Sequence, residues 1–591
     1  MDGMTTIQPR TGTDAGAALA ERERPRQLAN WKVGVALGGV AGLASLQPSL
    51  LPRSSKQQAI VTIASMALGF GAGVATNALA NAIDRETDLG PLAARIGIGG
   101  VAALGTAGAW LALRGRPNLP VDALRTAAMV AGGGAVAGAA LIGEQALAER
   151  IGEHVPGGTA AAHAAIAGVA ALGTAAVLLG RARPGAVSQA EHARYVASTL
   201  DGATTTAPAF DADRFAELTR LRVEMRTVSG VTAGTLLPDH AAGAHGLKFL
   251  NEVTPGAEIA RTMGVDAAQV QDPIRIYGGM DHAGTRQELA DLIYREAVAK
   301  GAFERSNVIL YLPSGTGHVN PMPVAAVEYQ TLGDVASIGM QYGNKPSLQS
   351  VHRVGDAREL FAAVRDRFVE HVRAMPEGTR PSITAYGESL GGWGMQDVYL
   401  ASGPEGIAAS GLDRMINVGS PRFSKFRSDA ITPAGHRLDP SGRVFEFNDV
   451  DTLRALDPQE RARVTGFLLT HHNDPVAKFS PRMFVQRPEW LRRGAEDVGV
   501  PRTMKWVPGV SGIQGSVDMV NGVSPKPGIM ARTGHDYRAD MAPVMAEILG
   551  TGTTDAQLAR ITDSLAQLEL ARAVMPKPTP RLAAPATAAA T

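Results

Sequence analysis

A chain of 591 residues is too long for one ordinary core and favours two or more domains with flexible ends. Its formal charge of +1 argues against a polyanion partner held by bulk electrostatics, so no nucleic-acid partner is expected. The absence of cysteine excludes disulfides, Cys-ligated zinc, iron–sulfur clusters and a thiol nucleophile, leaving any covalent catalysis to another residue type.

Residues 1–30 are polar and mixed in charge and read as a solvated tail. From Trp31 the character changes. Five apolar runs follow, Val33–Leu51, Ala59–Ile83, Ile96–Leu113, Thr126–Gly143 and Val155–Gly180, each about 18 or more residues without Asp, Glu, Lys or Arg. At 1.5 Å per residue such a run approaches the roughly 30 Å hydrocarbon thickness of a bilayer. Charges collect in the gaps between them, as between successive transmembrane helices. Small residues one turn apart, Gly34/Gly38/Gly42, Gly69/Gly73 and Gly134/Gly138, would let helix backbones approach closely. The competing reading is a set of Ala/Gly-rich soluble helices. A removable signal peptide could account for the first run alone. His163 is the lone ionisable group in the spans and reads as a packing residue. Lys and Arg are split almost evenly between alternating loops, so the positive-inside rule gives no orientation. The expectation is a multi-pass protein of the cell membrane, with the lipid bilayer as partner.

After Pro184 the sequence becomes ordinary and soluble, with a juxtamembrane helix at "FAELTRLRVEM". Beyond residue 270 short apolar runs alternate with amphipathic stretches. "PIRIY" (273–277), "NVILYL" (307–312), "VASIGMQY" (335–342) and "SITAY" (382–386) read as strands, with helices at "RQELADLIYREAVAKG" and "ARELFAAVRDRFVEHVRAM". Strands buried on both faces and separated by helices mean a mostly parallel sheet flanked by helices, with reactive groups at the carboxyl ends of the strands.

Gly387-Glu388-Ser389-Leu390-Gly391 follows one of these strands directly and opens a helical stretch, "LGGWGMQDVYLAS". That context separates a nucleophile elbow from a chance match in a chain with 68 glycines. A turn this sharp needs small neighbours, which gives Gly387 and Gly391 a steric role. A serine needs a base, and in an α/β-hydrolase fold the chain order is serine, acid, histidine. Of thirteen histidines only His535, in "ARTGHDYRAD", lies beyond residue 472. Upstream, "RVTGFLLTHHNDPVAKF" reads as a buried strand with Asp474 at its carboxyl end, and "TMKWV" (503–507) can supply a last strand before His535. The alternative pairs Asp449 or Asp451 with His471 or His472. Outside such a site, His535 would be a loop histidine and Asp474 the cap of a turn before Pro475.

An oxyanion hole is the third requirement, each fixed donor being worth about 3 kcal/mol. "LPSGTGHVNP" follows the strand 307–312, so one donor is expected from Ser314, Gly315 or Thr316 and the other from the N–H of Leu390. The alternatives are a plain Gly-rich turn or a phosphate cradle, though no Walker lysine follows. The segment Arg422–Val444 reads either as a lid or as a solvated surface loop.

On "SLLPR" (Ser49–Arg53), "SGTGHVNP" (Ser314–Pro321), "YGESLGGWG" (Tyr386–Gly394), "HNDPVAKFSP" with the following "RPEWL" (His472–Leu491) and "GHDYR" (Gly534–Arg538), the chain resembles a family of bacterial integral-membrane α/β-hydrolases. These join a multi-span N-terminal region to a C-terminal hydrolase domain. The resemblance implies Ser389 as nucleophile, Asp474 as acid and His535 as base, and it names no substrate. The expected organisation is a tail (1–30), a membrane domain of about five helices (31–181), a juxtamembrane linker (182–270), an α/β-hydrolase catalytic domain (271–550), and a C-terminal helix with a disordered tail (551–591). The function expected is a membrane-anchored serine hydrolase cleaving an ester or related acyl bond without metal or organic cofactor. An acyltransferase with the same triad and a non-catalytic interaction protein are the other readings.

Overall fold

The computed structural model of the protein describes residues 28–98 (except 88, 89 and 91), 119–162 (except 157 and 160), 210–228, 235–430, 438–492 and 500–574 (except 502, 524–527 and 529). Seven strands, β1 (Ile274–Gly278), β2 (Asn307–Leu312), β3 (Val335–Met340), β4 (Ser382–Glu388), β5 (Arg414–Val418), β6 (Val444–Phe447) and β7 (Gly466–Leu469), form one sheet in the order β1-β3-β2-β4-β5-β7-β6. Every pairing is parallel. The strands alternate in register with two cores. Val308, Leu310 and Leu312 of β2 face one, with Leu289, Ile293, Phe361 and Phe368 of the helices Arg286–Ala299 and Val354–Ala374. Ile309 and Tyr311 face the other, with Val324, Met541 and Ile561 of the helices Pro321–Gln330, Met541–Leu549 and Asp555–Val574. A period of two with apolar residues on both faces explains why these runs read as continuous hydrophobic stretches.

One charged pair crosses the second core. Arg275 of β1 is clamped by Glu328 of the Pro321–Gln330 helix through Nε (2.6 Å) and Nη2 (2.8 Å), and its Nη1 donates to the Phe249 carbonyl. Both side chains are at most 3% exposed. Two buried ions are tolerated here because the fork-to-carboxylate geometry satisfies them together.

Three expectations are corrected. "TMKWV" is not a strand: after Val507 the chain enters a helix, Val510–Gly522, and among the described residues no strand lies between β7 and His535. The 503–507 segment is held instead by side-chain contacts, Trp506 Nε1 donating to the Met483 carbonyl and Val507 N–H to Ser511 Oγ. The run Val33–Leu51 does not form one long helix. Its helix, Asn30–Ala44, has 15 residues, roughly 22 Å at 1.5 Å per residue, short of a bilayer. Ser45 Oγ turns back onto the Gly42 carbonyl and Pro48 and Pro52 follow, so the chain leaves the helix there. Finally, the first part of the segment 422–444 is not a solvated loop, because it forms the helix Lys425–Ala430 with Phe426, Arg427 and Ala430 buried; residues 431–437 lie outside the described residues.

Two described helices, Ser55–Thr87 and Thr126–Gly152, are long and apolar enough to cross a membrane. The runs Ile96–Leu113 and Val155–Gly180 fall largely outside the described residues. The glycine spacing does bring backbones together: a Cβ at Gly69 or Gly73 would stand 2.5 Å from the carbonyl oxygens of Leu37 and Val33.

Removing one partner of the buried pair strands the other. Glu328→Ala is expected to lower stability by about 3–5 kcal/mol in denaturant unfolding of the full chain, and adding Arg275→Met is expected to recover part of the loss.

Candidate active site

Ser389 stands where β4 ends and the helix Leu390–Asp397 begins, with φ 55° and ψ −120°. Such a backbone costs on the order of 1–3 kcal/mol in a residue with a Cβ and persists only if its surroundings over-determine it. They do. Ser389 N–H donates to the Val418 carbonyl at the end of β5 (2.9 Å), and Trp393 N–H donates to the Ser389 carbonyl (3.1 Å). A Cβ at Gly391 would lie 2.1 Å from the Leu312 carbonyl oxygen, and one at Gly387 2.8 Å from Gly392 Cα. Both glycines of the pentapeptide are therefore needed by close approach, Gly391 because the helix starts directly on the end of β2.

Asp474 follows β7 and caps the short helix Pro475–Lys478. It is completely buried, and each oxygen is satisfied. Oδ1 accepts the Val476 N–H (2.8 Å), while Oδ2 accepts His535 Nδ1–H (2.8 Å) and the Tyr537 hydroxyl (2.6 Å). Burial pushes the Asp474 carboxyl up, but the charge of His535 and these three hydrogen bonds outweigh it and hold it below its ordinary value. Burial likewise pushes His535 down, and Asp474, with smaller contributions from Glu388 and Asp536, holds it above its ordinary 6.5. The His535 side chain is 8% exposed.

Gly419, directly after β5, makes room for this imidazole. It has φ +59°, and a Cβ there would stand 2.6 Å from His535 Cε1 and 2.9 Å from Nδ1. The residue next to the anchor of Ser389 is thus the residue against His535. Glu388 adds a partly buried carboxylate next to the serine in the chain. Burial raises it, with His535, Asn320 and Tyr386 partly offsetting that, and the Tyr386 hydroxyl donates to Oε2 at 3.2 Å.

The loop after β2 has its carbonyls turned away and tied down. Ser350 Oγ, which donates to the Lys345 carbonyl (2.8 Å), lies 3.3 Å from the Gly315 carbonyl, Gln341 Nε2 donates to that of Thr316 (3.5 Å) and the Tyr277 hydroxyl to that of Gly317 (2.7 Å). Ser314 takes the turn N–H of Gly317 on its carbonyl, and its hydroxyl lies 3.4 Å from that of Thr316. Among the described residues none accepts the N–H of Gly315, Thr316 or Leu390. These are the N–H groups from which the two oxyanion donors are expected.

One member of each alternative choice, Asp449 and His471, is engaged elsewhere. Asp449 caps the helix Val450–Arg454 through Thr452, and both ring nitrogens of His471 are occupied, Nδ1 with the Gly534 carbonyl (2.9 Å) and Nε2 with Asp540 (3.1 Å). Two residues go beyond the sequence reading. Tyr537 donates to Asp474, accepts the His471 N–H (3.1 Å) and stacks on the His471 ring with centroids 4.1 Å apart. Its signal was present in "GHDYR", two residues from the histidine, but an aromatic in a loop has no periodicity to mark it. Gly419 was one glycine among many.

Residues 274–561 match a family model described as "Alpha/beta-hydrolase family". The match spans all seven strands together with Ser389, Asp474 and His535, and the C-terminal domain is an α/β-hydrolase domain. No curated protein and no solved structure matches the chain.

Gly419→Ala drives a methyl group at the His535 ring. The rate at which Ser389 reacts with a fluorophosphonate is expected to fall on the order of 100-fold, with the far-UV circular dichroism of the wild type retained.

Proposed function

We propose, taking residues 274–561 as an α/β-hydrolase domain, that the protein is a membrane-anchored serine hydrolase acting on an ester or related acyl bond. The observation that carries this reading is the His535 Nδ1–Asp474 Oδ2 pair at 2.8 Å, bordering the same β5 terminus that anchors a serine held at φ 55°.

In this mechanism Ser389 Oγ attacks the acyl carbonyl carbon while the unbonded nitrogen of His535 takes its proton. Asp474 fixes the imidazole with Nδ1 protonated, so Nε2 is the basic nitrogen, and stabilises the imidazolium that forms. The N–H of Leu390 and a second donor from Ser314, Gly315 or Thr316 stabilise the negative charge on the carbonyl oxygen. His535 then returns the proton to the leaving alcohol, giving an acyl-serine, and water repeats the sequence in reverse roles to release the acid. No step calls for a metal or an organic cofactor.

Anchoring rests on the two apolar helices, which carry exposed Ile60, Ile63, Met66, Phe70, Met129 and Val136. A hydrolase held at a bilayer meets acyl lipids and envelope esters at high local concentration, which favours a substrate of that class.

The test is hydrolysis of p-nitrophenyl acyl esters by the full chain in detergent. Ser389→Ala and His535→Ala are each expected to lose at least about 1,000-fold in kcat/KM. Because His535 must be neutral to act and is held above 6.5, activity is lost as pH falls through its raised pKa. The acid limb of kcat/KM in the wild type is therefore expected above pH 6.5. Hydrolysis that survives in both variants would contradict the reading.

A further inference from the structure

His535 sits on a loop with no strand to carry it, and the order of that loop has to come from neighbours. Within the loop the backbone supplies only an isolated Thr533–Asp536 bridge. On one side Gly534 is held by the end of β7: its N–H donates to Asn473 Oδ1 (2.9 Å) and its carbonyl accepts His471 Nδ1–H (2.9 Å). On the other side is a residue more than 480 positions away. A Cβ at Gly534 would stand 2.9 Å from Leu51 Cδ2, so the two are packed with no space between them.

Leu51 belongs to the "SLLPR" turn that joins the helices Asn30–Ala44 and Ser55–Thr87. The turn is fastened to the helix Val510–Gly522. Asp518, fully buried, accepts Ser49 Oγ–H on Oδ1 (3.0 Å) and the Leu50 N–H on Oδ2 (2.9 Å). One helical turn earlier, on the same face, Gln514 Nε2 donates to the carbonyls of Ser45 and Gln47, both at 3.1 Å. Arg53 closes the turn from within by donating to the Gln47 carbonyl (2.9 Å). Leu50 is completely buried among Leu491, Val500 and Met504. The same helix ends at the site: a Cβ at Gly522 would stand 2.7 Å from Pro475 Cγ, next to Asp474, and 3.5 Å from His535 Cβ.

We propose that the Ser49–Arg53 turn, clamped by Asp518, is a positioning element for His535, so that the N-terminal helices complete a site the sheet alone leaves unsupported. Leu51 is the contact residue and Asp518 its anchor. The catalytic role of His535 that gives this meaning rests on the hydrolase reading above; the packing itself does not.

Two readouts on the full chain in detergent separate the two claims. The first is the titration of His535 followed by NMR of histidine-labelled protein, which needs no activity. The second is the rate of Ser389 reaction with a fluorophosphonate. Leu51→Ala loosens the loop, so the His535 midpoint is expected to move down toward 6.5 as its contact with Asp474 weakens, and the labelling rate to fall on the order of tenfold. Leu51→Met, which refills the space, is expected to restore both. Asp518→Ala is expected to act like Leu51→Ala; if it fails to fold, the Leu51 pair decides. A His535 midpoint that stays in place in Leu51→Ala overturns the proposal whatever the labelling rate does, since a merely structural contact would lower folded protein without moving that titration. Wild type that does not label, with the midpoint shift present, would count against the hydrolase reading and leave the positioning role standing.

Discussion

The Asp474 carboxylate is buried with no exposure to solvent, and the site is organised around keeping it charged. An unpaired ion in that position would cost several kcal/mol. Three donors remove the cost, and each comes from a different constraint: the first turn of the Pro475–Lys478 helix, the imidazole of His535, and the hydroxyl of Tyr537. Tyr537 is itself fixed by the His471 N–H and by stacking on the His471 ring, which Asp540 and Gly534 orient. The carboxylate thus orders the 533–537 loop as much as the loop orders the carboxylate.

The strand order makes this compatible with Ser389. β7 lies between β5 and β6, so Asp474 emerges two strands from β4 with only the end of β5 between them. That end is Val418, whose carbonyl holds the serine backbone, followed by Gly419, whose missing side chain leaves the imidazole its place. A sheet in simple chain order would put Asp474 one strand farther from Ser389. The strain at Ser389 and the left-handed backbone at Gly419 accompany the close packing of Ser389, Asp474 and the His535 loop at the ends of β4, β5 and β7.

Much of this was legible in the sequence. The strands β1 to β4 stand out because residues apolar on both faces form runs between helices with clear apolar stripes, and "NVILYL" coincides with β2. The elbow was legible because Ser389 follows a strand, and the pair Asp474–His535 because chain order left one histidine. What failed has physical causes. "TMKWV" has strand composition, but its tryptophan and methionine serve a local cluster and not a ladder. Val33–Leu51 counted as one run because composition does not register Pro48 as a boundary or a turn whose Ser49 and Leu50 bond a helix 469 and 468 positions later. Contacts of that range, like Tyr537 on Asp474, have no signature in local periodicity.

The most direct measurement of the central claim is the mass of the intact chain after reaction with a fluorophosphonate, followed by mapping of the modified peptide. The account predicts one phosphonyl group per chain, on Ser389, and none in His535→Ala. An unmodified chain that is folded, or modification at another serine, would contradict it.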